Sequence, residues 1–195
     1  MTTYELSEKN EETDLLLVQR LEKFGKREIL LWKEMVLHDE LLFAKVYKLI
    51  YSDNPRIAWH AAWIIDHVSE VEPDKLKPFI PELIDELYNL KSSSLKRHFT
   101  RMILRYEVPE NRMGRLVDLL YNFLSTSEAI AVRANSLEIL HKLAILEPNL
   151  RDELIRVTDA MLEDECTAGI LSKGRKILRS LQSIDAKVYQ TRVPK

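Results

Sequence analysis

The sequence is poor in the residues that build strands, disulfide bonds and phosphate loops. Only 4 of its 195 residues are glycine and 7 are proline, and runs of β-branched residues are few, so little material exists for strands or hairpins. The single cysteine, Cys166, excludes an intramolecular disulfide bond and favours a reducing compartment. The scattered glycines assemble neither a P-loop nor a dinucleotide-binding fingerprint. The composition therefore predicts an all-α protein without phosphate-loop chemistry.

Long hydrophobic runs and targeting segments are also missing. The longest apolar runs, such as 15–18 and 29–32, are too short to span a bilayer. Residues 1–10 show neither the basic region nor the apolar region of a signal peptide. We therefore expect a cytoplasmic protein with no membrane partner.

No catalytic or metal-binding motif can be assembled. The five histidines show no His-Glu-x-x-His spacing. His60 and His67 lie two turns apart on one predicted helix, about 10 Å by the helical rise, which is too far to share one metal ion. Cys166 has no histidine beside it in sequence and is expected to be an inert thiol. We therefore predict no enzymatic activity, no metal and no cofactor.

The sequence does contain a repeat. The apolar pattern of segment 54–68, which Asn54 can cap and Pro55 can start, returns three more times at offsets of 38, 37 and 38 residues. A period near 40 residues with two helices in each period predicts an α-solenoid. The first position of the pattern is occupied in turn by Ile57, Leu95, Val132 and Ile170. Another position is occupied by Ala61, Phe99, Ser136 and Gly174, of which only Phe99 is large.

The repeat also predicts how the chain is organised. We expect a polar tail over residues 1–10, a single helical-repeat domain over 11–182, and a tail over 183–195. No linker is long enough to divide two domains. Within the domain, about five helical hairpins are expected, formed by a cap at 11–37 and repeats at 38–70, 71–106, 107–144 and 145–182.

Two repeat helices resemble the second helix of a HEAT repeat, whose pattern has Val-Arg followed by a small pair. Val132 and Arg133 match the dipeptide, and Ala61 and Ala62 match the small pair. The resemblance covers roughly residues 38–182 and implies a right-handed α-α superhelix of the HEAT/ARM type, with the second helices on its concave face. The chain is also similar to small single-domain bacterial HEAT-like proteins of unassigned activity.

One face of these second helices is the candidate binding surface. A step of about 100° per residue puts Trp59, Trp63 and Asp66 opposite the apolar stripe. Two interpretations remain open, because the indoles lie either under a neighbouring helix or on a binding platform. The resemblance implies one inner surface, whose candidate partner-binding residues are Trp59, Trp63, Asp66, Arg97, Arg101, Glu138, His141, Lys176 and Arg179.

Charge is unevenly distributed along the chain. The four second helices carry a net charge of +8, and because the whole chain carries −2, the rest sums to −10. Such segregation attracts an anionic partner to the inner face. The alternative is that single cations such as Arg101 and Lys176 are solvated or paired with acidic loops.

Two functions fit these features. The favoured one is a non-enzymatic scaffold that binds a protein or peptide, preferably an acidic one, with the two indoles as anchors. The other is nucleic-acid binding, because the groove is similar to that of DNA alkylation repair glycosylases built on HEAT-like repeats. Those enzymes combine aromatic and basic residues with an acidic group, and this sequence has those residue types without matching the family's spacing.

Overall fold

The computed structural model describes the backbone of residues 16–164 and 167–192. Within that part of the chain every regular element is a helix, and no strand occurs. The all-α prediction is therefore confirmed. The predictions for Cys166 and for the tail at 1–10 lie outside the described residues.

The helices follow one another with short connections. A 3-10 turn, Lys77–Phe79, separates α5 from α6, and another, Pro148–Leu150, precedes α10. The helices are α1 (described over 16–21), α2 (Lys26–Leu37), α3 (Glu40–Leu49), α4 (Pro55–Val71), α5 (Pro73–Leu76), α6 (Ile80–Leu87), α7 (Ser93–Leu104), α8 (Glu110–Ser125), α9 (Ile130–Leu146), α10 (Arg151–Asp164) and α11 (Ala168–Arg192).

The chain forms two compact units, Met1–Met102 and Ile103–Lys195, and the division falls within α7. In the first unit α3 and α4 form a hairpin, and α2 packs against both helices. In the second unit α8 pairs with α9 and α10 pairs with α11. The second helices of these two hairpins, α9 and α11, also pack side by side. Stacked hairpins of this kind are the building units of an α-solenoid.

Local sequence explains where α4 begins. The side-chain oxygen of Asn54 accepts hydrogen bonds from the backbone N–H groups of Arg56 at 3.0 Å and Ile57 at 3.4 Å, as an N-cap residue does. The cap predicted for this helix is therefore confirmed. His60, one turn further on, is buried and donates from Nδ1 to the carbonyl of Leu21 at 2.5 Å. This histidine ties α4 to α1.

The apolar stripe is buried in all four repeat helices. In α4 it comprises Ile57, Ile64, Ile65 and Val68, and the equivalent residues of α9 and α11 are also buried, as are Leu95, Met102 and Ile103 of α7 and Tyr106 just after α7. Burying a side chain of this size is worth about 1.5–3 kcal/mol. The shared register predicted from the repeat offsets is confirmed within each unit.

One helix is interrupted, and one boundary differs from the sequence prediction. A 3-10 turn separates α5 from α6, because Pro78 and Pro81 lack an N–H and clash with the preceding turn. The last helix, α11, continues to Arg192 instead of ending near residue 182. No glycine or proline falls between 175 and 192, and Pro194 disfavours a helical residue before it. None of the described helices combines the length and the apolarity needed to cross a bilayer.

Candidate partner-binding site

Two tryptophans on α4 form a stacked pair, which we call the aromatic patch. The ring centroids of Trp59 and Trp63 are 5.7 Å apart with 20° between the ring planes. Both side chains are partly buried, so neither of the open interpretations holds completely. Part of each ring is covered and part remains accessible. The indole nitrogen of Trp59 is buried without a hydrogen-bond partner among the described residues, so its accessible part is the apolar ring.

A short chain of hydrogen bonds along α4 orients Trp63. Its indole N–H donates to Nε2 of His67 at 2.9 Å. Because an indole N–H can only donate, His67 accepts through Nε2 and carries its proton on Nδ1. That Nδ1–H then donates to Oε2 of Glu70 at 3.0 Å. The indole is therefore held in one orientation by residues of its own helix.

Asp66 lies beneath this patch and is fully buried. Its carboxylate oxygen Oδ2 accepts a hydrogen bond from Nδ1 of His98 at 2.7 Å. Nε of Arg101 lies 2.7 Å from the same oxygen and forms an ion pair with it. The angles of this contact are not those of a hydrogen bond. The prediction that Asp66 is an exposed surface residue is wrong, because His98 and Arg101 of α7 close over it. Its carboxylate holds α4 to α7 and is not available to a partner.

The cations beside the patch are engaged within the first unit. Arg101 also lies 3.2 Å from Glu70, measured from Nη2 to Oε1, and Nη2 of Arg97 donates to Nε2 of His98 at 3.1 Å. Both arginines are partly exposed. Arg101 therefore lies against two carboxylates, those of Asp66 and Glu70, whereas Arg97 contacts the ring of His98. The formal charges of Asp66, Glu70, Arg97 and Arg101 sum to zero.

His98 is a buried titratable group of the site, and its surroundings lower its pKa. Burial lowers its pKa below the ordinary value, the carboxylate of Asp66 opposes this shift, and the positive charges of Arg97 and Arg101 add to it. The hydrogen bonds agree with a neutral ring, because Nδ1 donates to Asp66 while Nε2 accepts from Arg97.

We expect the protein to lose stability in mild acid because of His98. Below about pH 6.5 the unfolded histidine binds a proton that the folded one resists, so the free energy of unfolding falls by up to about 1.4 kcal/mol per pH unit. Above that pH the contribution is fully present. Urea unfolding of the wild type and of His98→Gln between about pH 5 and pH 7.5 measures this slope. The variant, whose amide can make both hydrogen bonds but does not titrate, should show a smaller slope.

The exposed His38 provides the matched control for this experiment. The His38→Gln variant should keep the wild-type pH dependence. An unchanged slope in His98→Gln would show that other groups cause the acid sensitivity.

In the second unit the four predicted residues lie on α9 and α11. Oε1 of Glu138 pairs with Nζ of Lys173 at 2.6 Å, and His141 is hydrogen-bonded through Nε2 to the hydroxyl of Ser180 at 3.0 Å. Burial lowers the pKa of His141, an effect that Glu138 opposes and Lys176 reinforces.

Three exposed cations of α11, Arg175, Lys176 and Arg179, are called the basic patch. Arg179 donates from Nε to the carbonyl of Arg175 at 3.3 Å. Lys176 and Arg179 are exposed to solvent, whereas Arg97 and Arg101 are partly buried. The patch holds three of the four cations of residues 167–182, which contribute +4 of the +8 counted for the second helices.

Sequence reasoning missed His67, Glu70 and His98. The local signal was available for the first two, since they follow Trp63 by one and two helical turns. The repeat register could also have suggested that the outward-facing Asp66 needs a partner on the next second helix, α7. That the five candidates of the first unit and the four of the second form one surface stays a prediction.

The arrangement presents an aromatic and polar surface, and the described part of the chain holds no metal-binding cluster. Among residues 16–164 and 167–192, no group of three or more His, Cys, Asp or Glu side chains could hold a metal ion. The polar groups around Asp66 contact one another, through the hydrogen bond from His98 and the ion pair with Arg101. What the site offers is a rigid, partly exposed aromatic surface.

Helical hairpins that pack through their second helices, with one shared apolar register, define an α-solenoid. The family model described as HEAT repeat domain matches residues 17–181. The chain therefore belongs to the HEAT repeat family, and the predicted fold class is confirmed. Members of this family are commonly non-enzymatic protein-interaction scaffolds. No curated protein sequence matches the chain.

Proposed function

We propose that this HEAT repeat protein is a non-enzymatic scaffold that binds a protein or peptide partner through the aromatic patch. The observation that carries the proposal is the stacked, partly exposed pair of Trp59 and Trp63. Tryptophan supplies a large contact area at low entropic cost and is enriched among residues that dominate binding energy. Two adjacent indoles suit an apolar or aromatic side chain of the partner.

Rigidity around the patch supports the same proposal. Trp63 is held through His67 and Glu70, and its ring stacks on His98 with centroids 6.2 Å apart. A side chain that is already ordered loses little conformational entropy when a partner binds. The buried ion pair beneath it keeps α4 and α7 together, so the patch is preorganised.

The partner we propose is acidic as well as apolar. Arg97 and Arg101 offer N–H donors beside the indoles, although their charge is balanced locally. The basic patch of the second unit adds positive potential, which speeds the approach of an anionic partner more than it strengthens the final complex.

Replacing both indoles should abolish binding. Peptides selected from a random library on the wild type provide the probe, and their affinity is measured by fluorescence anisotropy. We expect Trp59→Ala with Trp63→Ala to weaken binding by about 1,000-fold, because hot-spot tryptophans contribute about 2 kcal/mol or more each. Trp32→Ala is the matched control, since Trp32 is also partly buried but lies on α2. Unchanged affinity in the double variant, with intact helical circular dichroism, would contradict the proposal.

Nucleic-acid binding is the second candidate function, and a salt titration distinguishes it from peptide binding. We rank it lower because Asp66 is buried and Arg97 and Arg101 are engaged within the unit, whereas the exposed basic patch is what favours it. Binding of a generic DNA duplex should weaken steeply between about 50 and 200 mM salt if several phosphates are contacted. Absence of binding at low salt would eliminate this candidate.

A further inference from the structure

An apolar stripe on α2 faces away from the rest of the first unit. Leu30, Leu31 and Met35 are 43%, 58% and 53% exposed, whereas Ile29 and Val36 on the opposite side of the helix are buried. With a step of about 100° per residue the three exposed side chains fall on one face. Three large apolar side chains on one short helix form a contiguous patch, and such patches mark interaction surfaces.

The stripe continues into a groove between α1 and α2. The groove has a volume of about 840 Å³ and is lined by apolar side chains such as Leu16, Phe24 and Trp32 and by an equal number of polar ones, among them Arg20 and Lys23. α4 packs against α2, and the buried Ile29 and Val36 lie on the side of α2 opposite the stripe. The exposed side of α2 is therefore equivalent to the side that an adjoining hairpin covers in a solenoid.

Charges flank the stripe symmetrically. Arg27 precedes Leu30 by three residues, and Glu34 follows Leu31 by three. Both charged side chains are exposed, and they lie on the same face as the two leucines. Glu34 also contacts Nζ of Lys33 at 2.5 Å while its side chain remains 60% exposed.

Because Arg27 and Glu34 lie at opposite ends of the stripe, the stripe is complementary to the same stripe on a second copy of the chain. If two α2 helices cross in antiparallel orientation about a two-fold axis between Leu30 and Leu31, each Arg27 meets the Glu34 of the other copy. The leucines then pack against each other at the centre, and the methionines adapt to the remaining gaps. A closed interface of this type uses the same patch on both subunits. A parallel crossing would place like charges together.

We propose that the occupant of the α2 stripe is a second copy of this chain, bound as an antiparallel, two-fold symmetric dimer. The proposal does not depend on the aromatic patch or on its partner. Because α2 has 12 residues, it is about 18 Å long. The interface is therefore small, and we expect a dissociation constant on the order of 10 µM, not an obligate dimer.

Sedimentation velocity of the full chain from about 1 to 200 µM tests the proposal through charge reversal. Arg27→Glu alone and Glu34→Arg alone should each weaken the dimer by about 10-fold, because like charges then face each other. The double variant Arg27→Glu with Glu34→Arg should restore the wild-type dissociation constant to within about threefold. Leu31→Asp should weaken dimerisation by at least about 100-fold, since it buries an unpaired carboxylate.

Leu146→Asp on α9 is the matched control, because Leu146 is 67% exposed and lies outside the stripe. It should leave the dimer unchanged, and circular dichroism should show native helix content in every variant. A monomer at 200 µM, or a double variant that does not recover, would overturn the proposal.

Thiol labelling distinguishes a second copy of the chain from other possible occupants of the stripe. In a Cys166→Ser background, a Leu31→Cys thiol in a dimer should react slowly with a thiol reagent at high concentration and quickly on dilution. Slow labelling at every concentration would indicate cover by the same chain. Fast labelling at every concentration would leave the stripe open to another protein. Either result would overturn the proposed dimer.

Discussion

Replacing Asp66 with alanine is expected to lower the free energy of unfolding by about 3–4 kcal/mol, within the range observed when one partner of a buried ion pair is removed. The carboxylate is fully buried between His98 and Arg101. Without it, Nδ1–H of His98 loses its acceptor and Arg101 keeps only the more exposed Glu70. Urea denaturation monitored by circular dichroism measures the loss.

Two variants separate the contributions to this effect. Asp66→Asn keeps the shape and an acceptor but removes the charge, so its loss should fall between zero and that of the alanine variant. Glu70→Ala removes the other carboxylate beside Arg101. Because the side chain of Glu70 is 42% exposed, this change should cost no more than about 1 kcal/mol. Equal losses for Asp66→Ala and Glu70→Ala would show that burial of the Asp66 charge is not what matters.

Replacing Phe99 with alanine should cost about 3–5 kcal/mol of unfolding free energy, the usual range for deleting a buried aromatic ring. Phe99 is one of the largest fully buried side chains. It occupies the repeat position where the other copies carry Ala61, Ser136 and Gly174. The space between helices is therefore larger at α7, and the surrounding backbone cannot close the cavity completely. Urea denaturation of the variant measures the effect.

Phe79 provides the comparison for this prediction. It is an aromatic residue of the same unit, but it is only partly buried. Its ring lies 4.3 Å from that of Tyr47, centroid to centroid, so it is packed on one side. Phe79→Ala should cost roughly half as much as Phe99→Ala, because less apolar area leaves water. A loss below about 1.5 kcal/mol for Phe99→Ala would mean that the neighbouring helices collapse into the space.

The two stability predictions also bear on binding. Asp66 joins α4 to α7 through His98 and Arg101, and Phe99 is buried on α7, whereas Trp59 and Trp63 present the accessible surface. A variant that loosens the lower contacts should weaken partner binding indirectly, with a parallel loss of stability. The double tryptophan variant should weaken binding while retaining the helical circular dichroism signal. Measuring both quantities for each variant distinguishes positioning from direct contact.

The amino-acid sequence by itself determined the helices, their register and the repeat. Asn54 caps α4 as expected, and the apolar stripe is buried in every copy. These features depend on residues within about one turn of each other and on a period of 3.6 residues, both of which a single sequence contains.

Only the tertiary structure decided how the outward-facing residues are used. Periodicity placed Asp66 opposite the core, but the α7 residues His98 and Arg101 cover it. Periodicity also could not show that Trp59 and Trp63 are partly covered, or that the apolar face of α2 is exposed. The direction of a side chain follows from its own helix, whereas its burial and its charge partner depend on which neighbouring helix lies against it.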